Sequence, residues 1–587
     1  MDPLYYLKIL LLLSHVHALT HTNWSQLSYA WTDALLPQRD LASSVPVNQL
    51  TRVGVSLNRV VFDRLGYSRP ALALLLSFLS QSIGVYSLDV YWNEYTNKWQ
   101  LCPAPIPLNV TWDSLNVANL TWGGLSYLCQ VDMLPAEVFT TISSYISQTN
   151  TEREANVLQV ALMPKTIAKI NGSNSSVPQG ADFNTSMNAA GNSSLGDFAS
   201  SCLLYMYMPA MLNITTNANT NNYTALYGSR YPSQLTFLSK LSQRLMVFVL
   251  NTPQMPTGNG FKFDEFESDI FFIEESNPQF TPQVALLANL TLARTLERAY
   301  REPYDSSFFW DMAHTTEFRM VFDSDAVPFT NKSLLFYAKS GFTPVVNSSA
   351  FYFGDLPGVA PNAAAANSIN YIVPNSFWSW APGQPVINYT NTTDVTRKEN
   401  SDNDNPQWAI FSDAQLSYLC VSVETAGWSV DNCYNRYRYA CKNDTDPFSW
   451  VISDRLKTYF ASVSEDGCPD GTSFNPPRLA LEQYSLLALL QSNNVLYPVW
   501  IDLNDVYLSG CFVSGGPYAE CPYQKVLTTT SLIKRIAPSL VVSLFLIVLI
   551  LSEHVFTRTP IQTNRTRHWK KTLAQYYKEN DFEGVPS

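Results

Sequence analysis

The sequence predicts an α/β domain built on a parallel sheet, then a cysteine-rich domain, then one C-terminal transmembrane helix. Three observations carry this. Near-continuous apolar runs alternate with helical segments up to about residue 345. Most of the nine cysteines crowd into residues 420–521. Residues 536–552 carry no charge.

From the N-terminus, residues 1–18 combine an apolar stretch around residues 5–13 with the small-residue pattern Val16-His17-Ala18, which reads as a secretory signal peptide. Asn-x-Ser/Thr acceptors follow at Asn23, Asn109, Asn119, Asn171, Asn174, Asn184, Asn192, Asn213, Asn222, Asn289, Asn331, Asn347, Asn388, Asn391 and Asn443. Their spread over the whole region before the apolar span predicts an exposed, glycosylated ectodomain. Every cysteine lies in that same region, and in an oxidising compartment Cys102, Cys129, Cys420, Cys433, Cys441, Cys468, Cys511 and Cys521 are disulfide candidates. The count is odd, so one thiol stays free or pairs with another chain; Cys202, alone beside an Asn-rich stretch, is the candidate.

Residues 24–345 hold the first domain. Apolar, β-rich runs recur at residues 53–57, 84–92, 157–162, 245–250 and 318–322, with helical segments at 70–79 and 233–241. Such strands are expected where helices cover both faces of a parallel sheet, and at this length a closed barrel fits better than an open one. Residues 171–225, rich in Asn, Ser and Thr, read as a solvated, glycan-covered insertion. The acidic run from Asp264 through Glu265 and Glu267 to Asp269 reads as a solvated loop rather than a metal or glycosidase site. Asp89, taken as the C-terminal end of its strand, is the better-placed carboxylate.

At the other end, the uncharged run is about 26 Å long as a helix, enough for a thin bilayer. The span is set at residues 536–556 and the tail at 557–587. Arg558, Arg565, Arg567, Lys570, Lys571 and Lys578 place that tail in the cytosol, giving a single-pass type I membrane protein of the endoplasmic reticulum, later secretory pathway or vacuole. The formal net charge of −11 gives the main body no attraction for phosphate backbones, so direct nucleic-acid binding is not expected.

Three resemblances add to this reading. The strands at residues 84–92, carrying Asp89, and 244–250 look like those of phospholipase-C-like, TIM-type phosphodiesterase barrels. In that superfamily two histidines act as general base and acid. Of His15, His17, His21, His314, His554 and His568, only His314 falls inside the mature ectodomain, so the resemblance implies an inactive barrel with no catalytic residue assigned.

Trp378-x-Trp380-x-x-Gly383-x-Pro385, then Cys420, Trp428, Asp431, Cys433 and Cys441, resemble a C-type-lectin-like domain over residues 346–525, which implies a disulfide-stapled α+β fold there. Cys468, Glu482, Leu486 and Trp500 look like the opening half of that fold placed after its closing half. The resemblance, in permuted order, implies pairs Cys420 to Cys433, Cys441 to Cys468 and Cys511 to Cys521; two separate partial modules are the alternative. Family calcium sites draw oxygens from positions where Gln384 and Asp431 are kept but Val386 and Val430 stand in the others, so no metal and no cofactor is expected.

Residues 511–525, with Trp500 to Asn504 and the terminal residues 583–587, are similar to the fungal maintenance of telomere capping protein 6 family. Membership implies a glycosylated single-pass membrane protein linked to telomere capping, with that link indirect because only the short tail meets the cytosol. The expectation is a non-enzymatic binding or scaffold module, with a glycoprotein or glycan ligand. A glycoside or phosphodiester hydrolase using Asp89 and Asp264 is the competing reading, and recruitment through Trp569 and Tyr576 in the tail is a third.

Overall fold

The computed structural model describes residues 29–106, 117–167, 194–212, 226–250, 263–349, 369–386, 419–523 and 529–579, apart from scattered single positions within them. The stretch expected to be a signal peptide lies outside the described residues, as do ten of the fifteen Asn-x-Ser/Thr sites. Residues Met1–Cys521 form one compact unit and Pro522–Ser587 a second.

The first unit is organised by a parallel sheet. Its strands are β1 (Gly54–Ser56), β2 (Val85–Asn93), β6 (Leu158–Ile167), β7 (Leu245–Val249), β8 (Phe272–Ile273), β9 (Pro282–Leu286), β10 (Glu317–Phe322) and β11 (Thr343–Val346). From β1 to β8 and from β9 to β11 each pairs with the next of these strands, and β11 returns to β1, so the strands follow one another around a barrel. Among the described residues β8 and β9 do not pair, which leaves a seam. β3 (Lys98–Gln100) folds back antiparallel on the end of β2, and a hairpin of β4 (Val117–Trp122) and β5 (Leu125–Gln130) stands apart from the sheet.

Alternation along these strands sorts two cores. Val85, Ala161, Met163, Met246, Phe248, Phe272, Phe318, Met320, Phe322 and Val345 gather in one cluster with Tyr207, Tyr231 and Phe280, filling the barrel interior. The alternate set, including Tyr86, Leu88, Val90, Val160, Leu162 and Val247, faces helices. Gly54 is required where β1 passes β2, since a Cβ there would lie 2.9 Å from the Val85 Cβ. The covering helices α1 (Tyr29–Leu41), α2 (Leu72–Ser80) and α3 (Pro135–Gln148) follow from apolar residues at helical spacing. In α3 these are Val138, Phe139, Ile142, Tyr145 and Ile146.

Two expectations change here. Residues 194–212, expected within a solvated insertion, include Leu195, Ala199, Cys202 and Met206, all buried at spacings of three and four against α3. The acidic run forms α4 (Glu265–Ile270) rather than a loop. Asp264 caps it in a reciprocal box, accepting from Glu267 N at 2.6 Å while Glu267 Oε2 accepts from Asp264 N at 3.0 Å. Glu267 is only 1% exposed and also accepts from Leu195 N, so it is a structural carboxylate.

Helices α5 (Leu290–Arg301), α6 (Ser306–Thr315) and α7 (Asn331–Lys339) complete the barrel's outer layer. The second lobe is a sheet ordered β13 (Gly427–Asn432), β12 (Leu419–Glu424), β17 (Val499–Asn504), β14 (Arg438–Asn443) and β15 (Trp450–Ile452), with β16 (Thr472–Phe474) on β14. Disulfides join Cys420 to Cys433, Cys441 to Cys468 and Cys511 to Cys521, and in the first lobe Cys102 to Cys129. Short α8 (Tyr459–Ser464) precedes α9 (Ala480–Ser492).

The two lobes share one core through α9. Residues 480–490 are all buried, because one side meets the second sheet and the other meets α5, α6 and α7. Its polar groups are satisfied across that junction. Glu482 accepts from Lys442 Nζ at 2.7 Å, from Arg478 N at 2.7 Å and from the Tyr227 hydroxyl. Trp428 Nε1 donates to Gln483 Oε1 at 2.8 Å and Trp450 Nε1 to Ser485 Oγ at 2.9 Å. Near the start of the chain, Ala34 O accepts from Trp380 Nε1 and Gln38 Oε1 from Ser379.

In the second unit, helix α10 (Thr529–Glu579) contains residues Ile536–Glu553, apolar and long enough to cross a membrane. One such helix is consistent with a single-pass membrane protein, and the disulfides with an oxidising compartment.

Candidate functional site: the mouth of the barrel

Parallel strands bring their C-terminal ends to one face of a barrel, where side chains from separate strands can meet. Asp89 was expected at the end of its strand. It is instead the fifth residue of β2, because residues 90–93 keep pairing with β6. Alternation with Val85 and Ser87 turns Asp89 inward, above the aromatic filling. On the neighbouring strand Lys165 turns the same way, and its Nζ lies 2.6 Å from Asp89 Oδ2. The Lys165 ammonium also sits 5.8 Å from the Tyr91 ring centre, and the Tyr91 hydroxyl is 3.5 Å from Asp89 Oδ2.

The chain leaving β1 completes the site. Asn58, 2% exposed, accepts from Asp89 N at 2.7 Å and donates to Asp89 O at 3.3 Å, so its side-chain amide continues the ladder where β1 ends. Arg59 reaches Asp63 at 3.3 Å and Asp325 at 3.9 Å. Tyr67 donates to the other Asp63 oxygen at 2.7 Å. Tyr67 also exchanges backbone hydrogen bonds with Leu128 and Gln130, which fastens the β4–β5 hairpin beside the mouth. The Cys102–Cys129 disulfide ties that hairpin to the chain leaving β3.

On the far side, Asp323 follows β10 and is 1% exposed. It accepts from Phe329 N at 2.9 Å, from Ser348 Oγ at 2.5 Å and from Asn347 N, clamping the turn after β10 to the turn after β11.

The electrostatics follow from burial and pairing. Burial raises the Asp63 carboxyl above its usual range despite the Tyr67 hydrogen bond and the Arg59 charge. Burial also holds Tyr67 and Tyr91 protonated well above the ordinary tyrosine range, helped by Asp63 and Asp89 respectively. For Asp325, burial is outweighed by the Ser349 N–H and the Arg59 and Arg64 charges, and its pKa falls. Each ionic group named here already holds an opposite charge or a hydroxyl within the cluster. Asp89 faces Lys165, and Arg59 divides itself between Asp63 and Asp325.

The remaining sequence-derived candidates lie elsewhere. His314 is on the outer helix α6, its Nδ1 2.8 Å from Trp310 O and its ring stacked on Trp310. Gln384 edges a cleft of about 260 Å³ lined by Phe377, Trp380, Pro382 and Pro385. Its Oε1 accepts from Val386 N and Val430 N, at 3.1 and 3.3 Å. Asp431 accepts from Asn435 Nδ2 at 2.7 Å and from the Tyr437 hydroxyl at 2.5 Å, which makes it a turn anchor. Among the described residues, no three His, Cys, Asp or Glu side chains converge as metal ligands. Asn119, Asn289 and Asn331 are exposed, and Asn347 and Asn443 are half-buried. Asn58, Arg59, Asp63, Tyr67 and Lys165 were missed from the sequence. The available signal was position alone, a polar residue just past an apolar strand.

Residues 25–359 match the family described as the MTC6 partial TIM-barrel domain. A curated protein from Candida tropicalis named "Maintenance of telomere capping protein 6" is 33% identical, with both chains covered in full. Its namesake from Lodderomyces elongisporus is 35% identical over 94% of this chain and 90% of that protein. Two solved bacterial enzymes resemble the chain more distantly. A calcium-dependent phosphatidylinositol-specific phospholipase C from Streptomyces antibioticus has 13% identity and a TM-score of 0.29, covering 51% of this chain and 94% of that one. A calcium-dependent phosphoinositol-specific phospholipase C from a Pseudomonas species has 10% identity and the same TM-score, covering 55% and 94%. Likeness at that level leaves the chemistry of the mouth to this chain's own residues. With relatives at 33–35% identity over 94–100% of its length and the family's barrel model matched over residues 25–359, the chain belongs to the maintenance of telomere capping protein 6 family.

Proposed function

We propose that the chain is a non-enzymatic, type I membrane glycoprotein of the secretory pathway whose ectodomain is a binding or scaffold module. The observation that carries this is the self-paired mouth of the barrel. Asp89 is neutralised by Lys165 at 2.6 Å and held by Asn58, so it is poorly placed to act as a free base or nucleophile. The aromatic filling beneath it, from Phe248, Phe272, Phe318 and Phe322, leaves the barrel a packed core. We take the second lobe, with its Trp378, Trp380 and Trp428 cluster and three disulfides, as a permuted C-type-lectin-like scaffold and the surface for a glycoprotein or glycan ligand. With the ectodomain lumenal and the tail cytosolic, the telomere capping in the relatives' names would reach this chain indirectly.

The test is Asp89→Asn in the full-length protein, expressed in cells lacking their own relative. Growth and surface or vacuolar delivery equal to the unmodified chain are expected. Loss of complementation by a variant that still resists protease digestion would overturn the reading in favour of a hydrolase. A pull-down of glycoproteins with the soluble ectodomain tests the binding half; an ectodomain that retains no ligand counts against it.

A further inference from the structure

The apolar span does not end helix α10, which continues to Glu579. Over residues 565–579 the side chains are exposed and separate into two faces. At 3.6 residues per turn, Trp569, Leu573 and Tyr576 share a stripe with Tyr577 at its edge. They are 61, 48, 60 and 71% exposed. Arg567, Lys571 and Lys578 lie on the opposite side, with Arg565 and Lys570 at the boundaries. A bulky apolar stripe backed by cations is the pattern of a helix lying in a membrane interface, where aromatic rings sit among the headgroups and basic side chains reach anionic lipid.

We propose that residues 565–579 form an interfacial helix that docks on the anionic lipid surface of the leaflet from which the chain emerges. The occupant follows from continuity and charge. The span places a bilayer within about 26 Å of Trp569 along a straight helix. Between them Pro560 has no amide N–H, so the Phe556 carbonyl lacks its helical donor and the helix can turn onto the surface there. Four threonines and Asn564 between residues 557 and 566 lower the cost of that bend. Five basic side chains complement phosphatidylserine-type headgroups. The proposal rests on residues 536–553 spanning the bilayer, but not on the ectodomain's role.

The test uses the full chain in lipid nanodiscs, with Leu573→Cys carrying an environment-sensitive fluorophore. Buried Cys202 and the disulfide-bonded cysteines leave position 573 as the labelled site. Discs containing anionic lipid should shift the emission to the blue and shield the label from an aqueous quencher, and discs of neutral lipid should do so less. High salt should reverse the difference. Replacing Arg567, Lys570, Lys571 and Lys578 by Gln should lower the docked-to-free ratio by roughly fivefold per charge. Replacing Trp569 and Tyr577 by Ser should abolish the shift in both lipids. A label equally open to quencher in neutral and anionic discs overturns the proposal, as does protection that appears only with added cytosolic protein. Failure of the chain to enter discs at all counts against the span instead.

Discussion

Single side chains in this molecule are dominated by burial. Glu317 opens β10 at the barrel floor, and burial pushes its carboxyl up to about 7, against the pull of Asn48, Arg230 and Arg319. Below its unfolded pKa near 4.5 both states hold the proton and Glu317 costs nothing. As pH rises towards 7 the unfolded chain releases the proton while the folded chain keeps it, so stability falls and stays lower above 7. Glu317→Gln is therefore expected to be more stable than the parent at pH 8, by up to about 3 kcal/mol, and nearly equal at pH 4.5; urea titrations at the two pH values check this. Cys202 gives a second outcome. Its thiol donates to Phe139 O at 3.0 Å, and burial pushes its pKa up to about 11. The native chain should resist thiol reagents, and denaturation without reductant should release one reactive thiol per chain. Pairing of Cys202 with another chain, open from the cysteine count alone, conflicts with that burial. Asp89 was legible as a carboxylate on an apolar strand, though assigned to that strand's end, and Lys165 stands 76 residues away. No local periodicity reports a partner at that separation.

Elements were read with uneven success, for physical reasons. Strands at 53–57, 84–92, 157–162, 245–250 and 318–322 stood out because burial on both faces demands unbroken apolar runs. Two-residue β8 and half-buried β9 carry no such run. Helix α4 was hidden by its charge, although Asp264 and Glu267 spell a capping box at the right spacing. Helix α9 is the opposite case: buried on all sides, it has no amphipathic period to display. Its central ion pair predicts a measurable asymmetry. Glu482 is 0% exposed and the Lys442 side chain 8%. Lys442→Met alone leaves Glu482 facing Tyr227 and Arg478 without its cation, a loss of about 3–5 kcal/mol. Lys442→Met with Glu482→Leu should recover much of that loss, and equilibrium denaturation of both variants decides it.

Across the whole molecule, segments far apart in sequence close on one another. Arg478 Nη1 donates to Ser44 Oγ at 3.2 Å, Tyr484 to Leu296 O at 3.0 Å, and Trp380 to Ala34 O at 3.0 Å. On the proposed type I topology, a secreted form ending at residue 521 should fold and resist protease. One ending at residue 476 loses α9, β17 and the Cys511–Cys521 disulfide, and it should be retained or degraded even though every barrel strand is present. Pulse-chase secretion of the two forms measures this. The same dependence sets a schedule for biosynthesis. At about 5–20 residues per second, roughly ten to thirty seconds separate the completion of α7 from that of α9. For that interval the outer faces of α5, α6 and α7 wait uncovered, and the nascent chain must be sheltered by other proteins until its last hundred residues arrive.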